Sequence, residues 1–141
     1  MKNTILAAVG ITGSVIAKLL GGWDTALQVL IIFMAVDYIS GLAVAGIFKK
    51  SNKTETGALE SKAGWKGLCR KGMTLLIVLV AAQLDNITGA GVIRNAVIIG
   101  YVANEALSIL ENAGLMGIPI PNKLKDAIDV LKNKGSEADE N

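Results

Sequence analysis

The segment from Thr25 to Phe48, TALQVLIIFMAVDYISGLAVAGIF, is 24 residues long and contains no Lys, Arg or Glu; its ionisable side chains are Asp37 and the weakly acidic Tyr38. At about 1.5 Å per residue it crosses a hydrocarbon core of about 30 Å with some tilt, so it reads as a membrane span. Asp37 sits near the middle, where a carboxylate is costly against lipid, and is therefore expected to face protein or water. Gly41 and Ala45 follow at intervals of four, which puts Asp37, Gly41 and Ala45 on one helical face. Small residues on that face admit a close neighbour, and in lipid such packing replaces the hydrophobic drive between helices. A core helix of a soluble domain is the rival reading, and the absence of Lys and Glu argues against it.

The remaining composition agrees with a membrane protein of one domain: 141 residues, 52% hydrophobic, 18% charged, mean hydropathy +0.50. There is no His, and the single Cys69 excludes an intrachain disulfide and a cysteine-based zinc cluster. No enzyme activity, metal or cofactor is expected. A net charge of +2 is too small to argue for nucleic acid, but its uneven distribution bears on topology.

Before the span lies a first apolar run, Thr4 to Leu20, with Lys18 near its end, where a long side chain reaches the interface. A secretory signal peptide is a rival reading, disfavoured because no clear small-x-small cleavage site follows. Gly10, Ser14, Ala17 and Gly21 fall on one stripe of this run, a candidate helix-packing face for oligomerisation. Gly21-Gly22-Trp23-Asp24 then reads as an external turn with Trp23 at headgroup depth.

After the span, the segment from Lys49 to Lys71 carries Lys49, Lys50, Lys53, Lys62, Lys66, Arg70 and Lys71 against Glu55 and Glu60. By the positive-inside rule this is a cytoplasmic loop. A third run, Gly72 to Leu84 extended back to Leu68, is expected to stop at Asp85-Asn86, with an external turn from Asp85 to Gly91. The fourth, Val92 to Leu110, contains Arg94, Asn104 and Glu105. Arg94 and Glu105 share a face about 16 Å apart along the axis, so each needs a partner on another helix, a headgroup or water. Three or four spans fit, and four is favoured because it returns the chain to the cytoplasm.

Pro119 and Pro121 interrupt helix after Gly114. Asn122 is a candidate cap for a short amphipathic helix over 122–134, with Leu124, Ala127, Ile128 and Leu131 as its apolar stripe, and 135–141 reads as a disordered acidic tail. The organisation expected is a polytopic membrane domain over 1–121 followed by these two pieces.

Four motifs stand in order: Asp37-Tyr38-Ile39-Ser40-Gly41, Ser61-Lys62-Ala63-Gly64-Trp65-Lys66-Gly67 ahead of Arg70-Lys71, Asn104-Glu105-Ala106-Leu107-Ser108-Ile109-Leu110-Glu111-Asn112, and Gly117-Ile118-Pro119-Ile120-Pro121. Together they resemble the phage-lysis and toxin-secretion holins of Gram-positive bacteria and their phages, from about Thr4 to Lys134. The resemblance implies an all-α multi-pass protein of the bacterial cytoplasmic membrane that forms homo-oligomers and opens lesions for an endolysin, or a toxin in some relatives. The residues by themselves also fit a small regulated channel or transporter subunit, with Asp37, Arg94 and Glu105 along its pathway, or a non-conducting scaffold.

Overall fold

The computed structural model describes residues 1–140, with side chains as far as Gly135, and among these residues it is all helical. The order is α1 (Lys2–Leu19), α2 (Thr25–Ala43) continuing into a π-helical turn (Val44–Phe48), α3 (Ser61–Thr88), α4 (Ile93–Leu115) and α5 (Asn122–Glu140). Three helices are long and apolar enough to cross a membrane: Thr25–Phe48, Ser61–Thr88 and Ile93–Leu115. The first has the bounds expected from the sequence.

Polar residues set the ends. Asp24 caps α2, its Oδ1 accepting from the Leu27 N–H at 3.0 Å. Gly89, at φ 69, ends α3 in the left-handed conformation that glycine adopts without a Cβ clash. Asp85 does not terminate α3, as its place after an apolar run suggested. The helix continues to Thr88, and the Asp85 carboxylate accepts from the backbone N–H groups of Ile93 and Arg94, both at 2.9 Å, so it caps the start of α4. Asn122 lies inside α5 rather than before it, and the Pro121 carbonyl accepts from the Leu124 and Lys125 N–H groups.

The segment read as a loop from Lys49 to Lys71 is a correction of larger scale. Irregular chain ends at Glu60, and Lys62, Lys66, Arg70 and Lys71 all belong to α3, whose first turns are basic and whose later turns are apolar. A cluster of Lys and Arg therefore marks the entry of a span here as well as the loop before it.

Spans α2, α3 and α4 share a core of Leu27, Leu30, Met34, Val78, Ile98 and Val102, with Leu20 at its outer edge. Outward they present apolar side chains, among them Ile32, Ile39, Leu76 and Val80. Such a surface suits lipid and is out of place in water. α1 has no buried residue. α5 runs back along α4, with Ile128 buried and Leu131 against the core. A Cβ on Gly135 would lie 3.6 Å from the Gly100 Cα, so the two helices nearly touch at their backbones. The acidic tail expected over 135–141 falls largely on side chains outside the described residues.

Candidate functional site

Asp37 comes from the middle of the Thr25–Phe48 helix, Lys71 from the N-terminal half of α3, and Glu105 from the middle of α4. The Lys71 Nζ lies 2.8 Å from Asp37 Oδ2 and 2.8 Å from Glu105 Oε2, with the three side chains 16%, 9% and 12% exposed. One ammonium thus bridges two carboxylates and ties all three spans together. Asn112, one helical turn from the end of α4 and buried, donates to Asp37 Oδ1 and to the Asp37 main-chain oxygen, each at 3.1 Å, and to Ser40 Oγ at 2.8 Å. No buried side-chain polar atom among the described residues lacks a partner. That satisfaction makes a charged cluster tolerable at this depth, because each ion exchanges water for a fixed partner.

The small residues beside Asp37 serve the same contact. A Cβ on Gly41 would lie 3.7 Å from the Asn112 Nδ2, and Ala45 is buried. The neighbour of the Asp37/Gly41 face is therefore α4 of the same chain. Tyr38 turns the other way, to α3: its hydroxyl donates to the Gly64 carbonyl at 3.3 Å, and its ring lies over Gly67, where a Cβ would be 3.6 Å from Cε2. The Ser61–Gly67 motif thus reads as a bed for the Tyr38 ring. Because 3.6 Å is an ordinary contact, Gly67→Ala is expected to be nearly neutral. Gly67→Leu drives further atoms into the ring at an expected cost of about 1–3 kcal/mol. Unfolding midpoints of the two variants in detergent check the difference.

A second polar cluster holds the opposite end. The Arg94 guanidinium engages Asp24 through both carboxylate oxygens, Nη1 to Oδ2 at 2.7 Å and Nη2 to Oδ1 at 3.0 Å. It also donates from Nη2 to the Gly22 carbonyl at 3.0 Å and from Nε to the Leu20 carbonyl. One side chain from α4 thereby fixes the α1–α2 turn. Gly21 and Gly22 have φ of 92 and 108, and a Cβ on Gly21 would collide with the Arg94 side chain. Arg94 holds the Asp24 carboxyl below the usual carboxylate range through hydrogen bonding and charge, against a smaller opposing effect of burial.

The remaining expected residues are spread out. Gly10 and Ser14 are exposed, with no atom within 4 Å of a Cβ at Gly10, and Ala17 is half-buried. Asn104 is exposed on α4 and stays outside the ionic cluster. Lys49, Lys50 and Lys53 are exposed in the loop, which is tied to α4 by a 2.6 Å hydrogen bond from Asn52 to Glu111. Lys62, Lys66 and Arg70 line a cleft of about 720 Å³ that also reaches Lys71, Glu105 and Asn112. Sequence reasoning demanded partners for Asp37, Arg94 and Glu105 but did not find Lys71, Asp24 or Asn112. The available signal was that two intramembrane carboxylates require a cation, and Lys71 lies at the edge of the next span.

Residues 14–133 match the Bacteriophage holin family. A protein of Listeria monocytogenes is 40% identical over 91% of this chain and 86% of its own length, and one of Clostridium perfringens is 36% identical over 86% and 88%. A protein of Bacillus phage phi105 named as a probable holin is 32% identical over 81% of this chain and 79% of its own length. No solved structure matches the chain. With the match covering all three candidate spans, the chain belongs to the bacteriophage holin family.

Proposed function

We propose that this protein is a holin that inserts into the bacterial cytoplasmic membrane, accumulates as homo-oligomers and opens lesions through which an endolysin leaves the cell. Family membership carries the reading. The fold supports it: three spans are locked by a satisfied ionic cluster, while α1 offers a stripe of small residues with nothing packed on Gly10. In this reading α1 is a fourth crossing, Gly10, Ser14 and Ala17 meet a second copy, and the N-terminus, the 49–60 loop and the turn between α4 and α5 lie in the cytoplasm. Gly41, which faces α4, and the buried Ala45 support assembly by shaping the subunit. The protein performs no catalysis, and its relation to the endolysin requires no contact.

The charged cleft beside Lys71 favours a second reading, a channel for ions or small solutes. Release of a folded cytoplasmic reporter enzyme separates the two. Expression in a bacterial host should release the reporter abruptly after a delay, and Gly10→Leu should move that delay by well over the spread between cultures while membrane abundance holds. Leakage of ions with full retention of the enzyme would reject the holin reading in favour of the channel.

A further inference from the structure

α5 is the least membrane-like helix of the protein, yet it is laid along one of the spans. Its docking is specific: Ile128 is buried, Leu131 packs on the core, and Gly135 meets Gly100 backbone to backbone. Gly100 lies fifteen residues before Leu115, so α5 follows α4 for about 22 Å of its length. Its contact is therefore with most of the membrane-spanning part of α4, not merely with the cytoplasmic end.

The outer face of α5 carries Lys123, Asp126, Asp129, Asn133 and Lys134, all exposed. Taking Ile128 as the inward direction at 100° per residue, these five occupy the opposite arc, interrupted by a single apolar residue, Val130. Lipid at that depth is a poor neighbour for such a face: charged side chains within a bilayer turn to protein or to water. Mixed charges that pair with nothing apolar are what a water-filled passage accepts.

We propose that α5 forms the water-facing wall of the assembled lesion, each copy placing its polar face toward a common aqueous lumen while the apolar surfaces of α2 and α3 face lipid. The inference rests on the holin reading. It also gives the segment from Met116 to Pro121, with Gly117 at φ 79, the role of the turn that lays α5 back along α4.

Two measurements on the full chain, both in a Cys69→Ser background, test this. In the first, Gly100→Cys with Gly135→Cys is oxidised in membranes. The disulfide should form in oligomers, and the locked protein should release the folded reporter to within about twofold of its reduced form. In the second, a fluorophore on Asn133→Cys in reconstituted oligomers should be quenched by aqueous iodide and not by lipid brominated at mid-chain, while one on Ile39→Cys should show the reverse. Bromolipid quenching at Asn133, failure of the disulfide to form in lesion-competent oligomers, or loss of release that reduction restores would each overturn the proposal. If the unsubstituted protein releases no enzyme, the holin reading itself fails and takes this inference with it; release by that protein without release by the locked form rejects the lumen alone.

Discussion

Lys71→Met is expected to destabilise the folded subunit by about 3–5 kcal/mol, the cost typical of removing one partner from a buried ionic cluster. The change nearly preserves the volume of the stem but leaves Asp37 and Glu105 facing each other without the ammonium that now sits 2.8 Å from each. Because uncompensated charge causes the loss, neutralising the carboxylates should reverse much of it. The triple change Lys71→Met, Asp37→Asn, Glu105→Gln is expected to recover at least half of the stability, and Asp37→Asn by itself to cost less than Lys71→Met, since its amide still accepts from Asn112. Denaturant midpoints in mixed micelles, together with membrane abundance, check the series. If the triple variant is no better than the single one, Lys71 acts through packing and the electrostatic account is wrong. The same series addresses opening: Asp37→Asn at normal abundance should change lysis timing if the cluster rearranges when the lesion forms, and wild-type timing would make Asp37 purely structural.

Arg94→Ala is expected to release the α1–α2 turn, leaving the carbonyls of Leu20 and Gly22 without the guanidinium and the Asp24 carboxylate with the Leu27 N–H in place of the ion pair. Hydrogen bonds to a charged group contribute about 1.5–3 kcal/mol, and the lower end applies here because the Asp24 side chain is 47% exposed and partly screened by water. Arg94→Lys should recover little, since an ammonium cannot reproduce the two-pronged contact. Faster proteolysis at Lys18 and loss of the Gln83 to Leu19 contact would report the released turn. Acid should act at the same place. The lowered native pKa of Asp24 means that its contribution is present above the ordinary carboxylate value and is lost as pH falls through the native one. The native turn should therefore loosen only below about pH 4, and Arg94→Ala should lack that transition.

The span Thr25–Phe48 was legible in the sequence because 24 residues without Lys, Arg or Glu permit few alternatives. The start of α3 was not, because Lys62, Lys66, Arg70 and Lys71 carry the same signal whether they sit on a loop or on the first turns of a helix. The ionic cluster was half legible. A carboxylate in a span announces that it needs a partner, but Lys71 is 34 residues from both Asp37 and Glu105, and local periodicity carries no information over that distance. Asn112 was recognisable as part of a motif and not as the residue that orients Asp37. The course of α5 was invisible for a related reason: an amphipathic stripe states which side packs and not against what, and the Gly100–Gly135 contact joins two glycines whose spacing means nothing until the helices are side by side.

Arg94 acts as the pivot of a lever. α1 is 18 residues long, about 27 Å, is held at its Leu19–Leu20 end, and has no buried residue along its length. A tilt of about 10° about that fixed end swings the N-terminus sideways by about 5 Å. Small adjustments of the guanidinium against Asp24 are thereby magnified at the far end of the arm.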